Sequence, residues 1–316
     1  MKHYRSPDED SARWWDFEFR DGDVVVSTRS KSGTTWVQMI CLLLVFGDPR
    51  LPGPLGELSP WLDWLVSPKE EVYALLDAQQ HRRVIKTHTP LDGVPLDDRA
   101  TYVVVARHPL DMAVSLYHHS ANIDRARMAQ LTGRAAPLPP DRARPALHEW
   151  LVGFIDRRVD PRGLGHLDTL PGAMLHLSDA WARRARPNVV LLHYDDLLAD
   201  LEGTMRALAS RLGVSVEHRR WPALVSAATL RSMRDSVPSV LPDTRGVLKD
   251  PSAFFRRGSS GEGTSILTAE ELARYRARVA VLAPADLLAW LHRDDPGVIR
   301  LSDVPGPAGP DRLGAT

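Results

Sequence analysis

Hydrophobic and polar positions along this chain fall into runs of two kinds. Four short runs are apolar and rich in β-branched residues: Val24–Ser27, Val84–Thr87, Thr101–Ala106 and Asn188–His193. β-Branched residues favour strands. A run without polar alternation, such as Thr-Tyr-Val-Val-Val-Ala at 101–106, suits a central parallel strand buried on both faces. The longer runs carry helical patterns over 34–46, from Pro109 onward, and over 147–155, 175–184, 201–212, 222–233 and 268–282. The first of these is apolar nearly all round, which predicts a buried helix. Gly47, Gly213 and Pro284 supply stops, and Thr268 supplies an N-cap followed by Glu270 and Glu271. The 268–282 helix is expected to be the last. The order of strands and helices indicates an α/β fold with a central, mainly parallel sheet flanked by helices.

The segments between these runs differ in character. Residues 1–20 carry Trp14, Trp15, Phe17 and Phe19 among charges and read as a lead-in packed on the core. Residues 47–68 are rich in Pro and Gly and hold Trp61 and Trp64; they predict a loop with a short aromatic helix, either a pocket wall or simple packing. Residues 121–147 read as a mobile loop and a candidate lid, and 245–263 as irregular. The Pro- and Gly-rich end, 304–316, is expected to be a disordered tail, leaving 1–303 as one domain.

Composition changes this picture little. The 316 residues are 43% hydrophobic and 25% charged, as in an ordinary soluble protein. Forty basic residues balance forty acidic ones, so bulk charge gives no case for nucleic acid or an anionic membrane. Local basic clusters must carry any anion recognition. The single cysteine, Cys41, lies in the apolar helix and reads as a buried structural thiol. The N-terminus lacks the hydrophobic region of a signal peptide, and the longest apolar run, 39–46, is too short to span a bilayer, so no transmembrane segment and a cytoplasmic location are expected. No Cys/His cluster suggests a metal.

The candidate chemistry gathers where strands end. After Val24–Ser27 come Thr28-Arg29-Ser30-Lys31-Ser32-Gly33-Thr34-Thr35-Trp36. A helix N-terminus exposes unpaired N–H groups and partial positive charge, so it attracts anions. Lys31 and the hydroxyls of Ser32, Thr34 and Thr35 add a cation and donors there. The stretch reads as a phosphate or sulfate site, against the alternative of an ordinary polar connection. It is not a Walker A loop, because Lys31 precedes the single Gly33 instead of following a second glycine. ATP hydrolysis is therefore disfavoured. At the end of the second strand, Lys86 and His88 share one side, at the sheet edge where open α/β folds bind ligands. A loop histidine held by a local hydrogen bond is the alternative for His88. Arg107 ends the third strand beside a helix start at Pro109, with Ser115 about two turns in; a salt bridge to a carboxylate is its alternative. Arg256-Arg257-Gly258 can wrap a phosphate, since glycine admits close backbone approach; a surface loop is the alternative.

Four stations thus line up: Ser-Lys-Ser-Gly-Thr-Thr-Trp at 30–36, Lys-Thr-His at 86–88, Arg-His-Pro-Leu-Asp-Met-Ala-Val-Ser at 107–115 and Phe-Phe-Arg-Arg-Gly at 254–258. This pattern resembles the cytosolic-type sulfotransferase family, which uses 3′-phosphoadenosine 5′-phosphosulfate (PAPS), and the resemblance runs from about 23 to about 282. It implies the P-loop-kinase-like sulfotransferase fold and assigns roles by position. Lys31, Ser32, Gly33, Thr34 and Thr35 match the loop that holds the 5′-phosphosulfate, and Trp36 the aromatic residue on adenine. Arg107 and Ser115 match ligands of the 3′-phosphate. Arg256, Arg257 and Gly258 match its C-terminal loop, with arginine at the second position where lysine is usual. Tyr194 falls where the family has a tyrosine near the adenine. Leu230 replaces a usual aromatic adenine contact. His88 matches the catalytic base, and Lys86 the lysine beside it. Gly261-Glu262-Gly263-Thr264 stands where the family commonly has Gly-Asp-Trp-Lys. The family's short dimerisation motif is not recognisable around 264–271, so the sequence gives no support for a homo-oligomer.

The resemblance implies transfer of a sulfuryl group from PAPS to a hydroxyl of a small acceptor, releasing adenosine 3′,5′-bisphosphate, without a metal. His88 would act as base, with Lys31 and Lys86 balancing the developing charge. The alternatives are a non-catalytic nucleotide-binding module and a P-loop-type nucleotide kinase. The Trp, Leu and Phe content of the candidate pocket walls points to an apolar or aromatic acceptor.

Overall fold

The four β-branched runs form strands β1 (Val24–Ser27), β2 (Val84–Thr87), β3 (Thr101–Ala106) and β4 (Val189–His193). In the computed structural model, which describes residues 1–135, 143–159, 167–241 and 245–293, they pair in the order β2-β1-β3-β4, all parallel. Val25 lies opposite Ile85 on one side and Tyr102 on the other. The alternation of side chains sends Val25, Ile85, Tyr102 and Val104 into one apolar layer and Val24, Val26, Val84, Val103 and Val105 into the other. The sheet is buried on both faces, which is why its strands read as unbroken apolar runs.

Helix α1 (Thr34–Phe46) packs on the second face, where everything from Thr34 to Leu44 is buried. Cys41 lies within it, fully buried, and burial pushes its thiol up to about 12. After α1 the chain runs through α2 (Leu55–Leu58) and α3 (Lys69–Ala78) to β2. α3 is a helix the sequence reading did not anticipate. Only Val72 and Leu76 of it are buried, among charged neighbours, so its apolar stripe is one residue wide. The aromatic helix expected within 47–68 is absent: the helix there is α2, and Trp61 and Trp64 flank a turn, each in a β-bridge, beside Val66, Met128 and Val247.

Beyond β3, α4 (Pro109–Asn122) and α5 (Arg125–Leu131) follow. α5 occupies part of the segment expected to be a loop, with Asp124 as its N-cap; within that candidate lid, 136–142 lie outside the described residues. α6 (Leu147–Asp156) and α7 (Leu170–Ala182) pack on the first face. α7 begins five residues earlier than its periodicity indicated, because Thr169 caps it by accepting from the Gly172 amide. After β4 come α8 (Tyr194–Ala199), α9 (Leu201–Arg211), α10 (Trp221–Ala228), α11 (Leu230–Asp235) and α12 (Val237–Val240). α10 and α11 replace the single helix expected over 222–233. Thr229 is extended between them (φ −64°, ψ 144°), and its hydroxyl caps α11. The irregular stretch leads into α13 (Glu262–Ile266) and α14 (Ala269–Ala280), which opens on a capping box made by Thr268 and Glu271. α14 is not the last helix. α15 (Ala285–His292) follows, with Pro284 as its N-cap, and buries Leu287 and Leu291 in the first layer. Pro284 marks a start as well as a stop, since proline is tolerated where a helix has no N–H partner to lose. The expected tail at 304–316 lies outside the described residues. No helix of the described residues is long and apolar enough to cross a membrane.

From β1 the chain steps outward to β2, then crosses to the other side of β1 to form β3. The connections leaving β1 and β3 therefore diverge and open a crevice at the C-terminal ends of those strands.

Candidate active site

That crevice holds a cavity of about 310 Å³. Its floor is the β1–α1 connection. Lys31 (φ 64°) and Gly33 (φ 109°) both take left-handed backbone conformations, a state that costs a non-glycine residue about 1–2 kcal/mol. At Gly33 a β-carbon would meet the Tyr194 ring at 3.0 Å. Gly33 is also the N-cap of α1 and offers no side-chain cap, whereas α9 and α14 are capped by Asp200 and Thr268. The first-turn amides of α1 thus point at the cavity end of the helix without a side-chain partner. Thr34 lines the cavity, and its hydroxyl is hydrogen-bonded to that of the buried Thr28.

Positive charge is concentrated here although the chain as a whole is neutral. Lys31 Nζ stands 4.0 Å from the centre of the Phe254 ring. Burial, then Arg107, Lys86 and Arg256, lower its pKa to about 7. Lys86 Nζ lies 3.7 Å over the Trp61 ring. Arg107 donates to the carbonyls of Lys31 (3.1 Å) and Ser259 (2.9 Å) and stacks at 4.4 Å on Tyr194. The buried Nε atoms of Arg107 and Arg256 have no partner among the described residues.

His88, 4% exposed, follows the last residue of β2. Its Nδ1 is hydrogen-bonded to the carbonyl of Thr28. A carbonyl only accepts, so Nδ1 carries the proton and Nε2 is the acceptor nitrogen. Burial first, then Lys86 and Arg29, hold the imidazole well below its ordinary pKa, so the ring is neutral at pH 7. Arg29 is itself buried and bridges the His88 carbonyl and Asp168 (2.6 Å).

The wall contributed by 254–263 is fixed to the strand ends. Asp111, buried in the first turn of α4, accepts from the Gly261 and Gly263 amides, each at 2.8 Å. Ser260 is bonded to Asp195. Gly258 has φ +66°, a conformation strained for any other residue, and a β-carbon there would lie 2.4 Å from Leu230 Cδ1 and displace it. Arg256 pairs with Glu262 through both of its terminal nitrogens, and Arg257 lies 3.4 Å from the same carboxylate.

The strand-end crevice thus holds a cationic cradle with a neutral histidine beside it. Residues 21–280 match the family described as Sulfotransferase domain. The chain belongs to the sulfotransferase family. It is 45% identical over 305 residues to a glycolipid sulfotransferase of Mycobacterium bovis (strain BCG / Pasteur 1173P2), covering 92% of this chain and 93% of the relative. It is 44% identical over 304 residues to a glycolipid sulfotransferase of Mycobacterium tuberculosis (strain ATCC 25618 / H37Rv), with the same coverage. Its fold is similar to that of a mouse sulfotransferase complexed with PAP, at a TM-score of 0.64 and 15% identity over 90% of this chain and 91% of that one. The nucleotide-kinase alternative falls with this membership.

In this sulfotransferase the residues singled out from sequence converge on one cavity. Lys31, Gly33, Thr34, Thr35, Trp36, Lys86, His88, Arg107, Ser115, Tyr194, Leu230, Arg256, Arg257 and Gly258 all line it. Ser32 does not: it is buried, and its amide donates to the Arg29 carbonyl at 3.2 Å. Trp36 is held by its indole N–H on the Ala228 carbonyl (2.7 Å), with Tyr194 edge-on at 5.4 Å. The salt-bridge alternative for Arg107 gives way to two backbone carbonyls. For Arg256 a salt bridge does form, and its partner is supplied by the departure from the family pattern at 261–264. Three residues at or beside the cavity were given no role from sequence, Arg29, His119 and Phe254, while Trp61, expected as a pocket wall or simple packing, lines it. His119 was legible, because it lies one turn beyond Ser115 on the same helix face. Burial, then Lys31 and Lys86, lower its pKa to about 3. Phe254 reaches Lys31 only through tertiary packing, which no spacing in the sequence announces.

Proposed function

We propose that this sulfotransferase moves a sulfuryl group from PAPS to a hydroxyl on the sugar of a glycolipid, with His88 as general base. The observation that carries the reading is the His88 tautomer: a neutral ring, proton on Nδ1, acceptor Nε2 in a cavity lined by Lys31, Lys86 and Arg107.

The residues fit the nucleotide. The unpartnered Nε atoms of Arg107 and Arg256 and the side-chain-free approach at Gly258 suit a phosphate, and the mouse neighbour is complexed with PAP. Arg107, Ser115, Arg256, Arg257 and Gly258 would hold the 3′-phosphate. Lys31, Thr34, Thr35 and the uncapped amides of α1 would hold the 5′ end, and Trp36, Tyr194 and Leu230 would bound the base. PAPS, when bound, supplies the sulfuryl group and a bisphosphate leaving group. His88 Nε2 takes the proton of the acceptor hydroxyl, a contribution worth roughly 10²–10⁴-fold. Lys31 and Lys86 place positive charge where negative charge develops, ready-oriented and in a site of low polarity.

For the acceptor, both mycobacterial relatives carry the name glycolipid sulfotransferase. The rest of the cavity wall has two characters. Trp64, Ile123, Met128, Val247 and Leu248 are apolar, while Asp8, Glu9 and Asp168 bring carboxyl groups. An acceptor with an apolar tail and a hydroxylated head uses both, which extends the apolar or aromatic acceptor expected from sequence. Octyl β-glucoside and 2-naphthol, each supplied with PAPS, test this. The glucoside should be turned over with about tenfold higher kcat/KM, and His88→Ala should lose roughly 10²–10⁴-fold in kcat at unchanged affinity for adenosine 3′,5′-bisphosphate. Turnover of 2-naphthol alone removes the glycolipid acceptor, and an active His88→Ala removes the base.

A further inference from the structure

Lys86 lies in β2, an edge strand of the sheet, and His88 directly follows that strand. An edge strand has only one neighbour to fix it, so its end is the place where catalytic side chains are most easily misplaced. Here the segment 60–64 runs along the open side. Lys86 donates its amide to the Pro60 carbonyl (2.9 Å), and the Lys86 carbonyl accepts from the Leu62 amide (3.2 Å). This lays Trp61 beside Lys86 as a parallel bridge.

Asp63 turns that contact into a clamp. Its carboxylate is fully buried and accepts four hydrogen bonds. Oδ2 takes those of Thr87 Oγ1 (2.5 Å), Thr89 Oγ1 (2.6 Å) and Trp14 Nε1 (3.2 Å), and Oδ1 takes that of Trp61 Nε1 (2.7 Å). The two threonines bracket His88 in sequence. The indole that Asp63 anchors touches both reactive side chains. The Lys86 ammonium lies 3.7 Å from a Trp61 ring centre, and the His88 ring meets Trp61 edge-on with centroids 4.5 Å apart. Trp64 stacks on Trp61 at 4.9 Å and 11°, which restrains the indole further. A cation over an indole face is attracted by the ring's quadrupole, so the ring helps to fix the position of the ammonium.

We infer that Trp61 and Asp63 are positioning residues for sulfuryl transfer: Asp63 anchors the indole and the two threonines around His88, and the indole sets the Lys86 ammonium and the His88 imidazole relative to each other. The inference rests on His88 being the base. Its physical weight comes from the steep dependence of catalysis on placement, where an error of about 1 Å can cost roughly 10²-fold.

Three variants test it: Trp61→Leu removes the ring, Trp61→Phe keeps a ring without the N–H, and Asp63→Asn turns one acceptor oxygen into a donor. Turnover is measured at saturating PAPS with the better of the two acceptors above, and affinity for adenosine 3′,5′-bisphosphate by calorimetry. We expect kcat to fall about 30-fold, 5-fold and 10-fold respectively, with nucleotide affinity within about twofold of the parent chain. Undiminished kcat in Trp61→Leu overturns the inference. So does a rise in acceptor KM at constant kcat, which would make Trp61 an acceptor contact, and so does a loss of nucleotide affinity as large as the loss of kcat. If Trp61→Leu does not fold, Trp61→Phe decides, and full kcat in that variant overturns the inference. His88→Ala, run alongside, separates the two readings. If it stays active, the base assignment falls and takes the inference with it. If it is inactive while Trp61→Leu turns over normally, the inference alone falls.

Discussion

At Lys31 burial and three neighbouring cations decide the charge of one side chain. Burial and the proximity of Arg107, Lys86 and Arg256 bring its pKa to about 7, so near neutrality the lysine is partly uncharged. A bound phosphate reverses the balance, because an adjacent anion favours the ammonium and raises the pKa. Binding therefore takes up a proton at any pH above about 7 and below the raised value, and affinity for adenosine 3′,5′-bisphosphate weakens as pH rises through that window. Below it Lys31 is charged in both states and the dependence disappears. Calorimetry at about pH 8 in two buffers of different ionisation enthalpy should show uptake approaching one proton; identical heats in both buffers would contradict the reading. The identity of Lys31 was legible in the sequence. Its lowered pKa was not, since Arg107 and Arg256 are brought beside it by the fold.

Among the elements, the clearest division of labour is between the uncapped helix and the clamped loop. α1 begins at a left-handed glycine with no side chain to occupy its amides, and the strand–loop–helix pattern announced this site directly. The loop at 256–263 is different. Its arginines were legible, but its shape depends on Asp111, which receives two of its amides. In the sequence Asp111 reads only as an acidic residue in a first helical turn. Asp111→Ala leaves the buried Gly263 amide, and the more exposed Gly261 amide, without their acceptor, which should destabilise the fold by about 2 kcal/mol. The same change should weaken adenosine 3′,5′-bisphosphate binding more than binding of its 3′-dephospho analogue. Thermal unfolding and calorimetry with both nucleotides check this, and an equal loss for the two would detach the loop from 3′-phosphate recognition.

Across the whole molecule, the two ends of the sheet do different work. The C-terminal ends carry the cavity. At the N-terminal ends Asp23 and Arg83 form a buried pair through two contacts, of 2.9 and 2.5 Å, next to the first residues of β1 and β2. Removing one partner strands a buried charge, so Asp23→Ala should cost about 3 kcal/mol of stability. The cavity lies at the other edge, and the KM for PAPS should stay within about twofold at a temperature where the variant is folded. Denaturant unfolding with steady-state kinetics measures both, and a parallel change in KM would show that the two ends are coupled.

From the sequence came the four strands, the glycine loop between β1 and α1, the family and fourteen of the residues that line the cavity. Those features are local: β-branched runs, a glycine at a helix start, and short motifs whose members are neighbours in the chain. Tertiary structure alone decided the rest. The width of the α3 stripe, the break at Thr229 and the added helix α15 depend on what each element packs against. The His88 tautomer depends on a carbonyl from β1's connection, and the clamp on Lys86 and His88 depends on Asp63 and Trp61 from a turn. Hydrogen bonds and charge interactions act through space at a few ångströms. They become readable only when the parallel sheet brings distant segments to the same end of its strands.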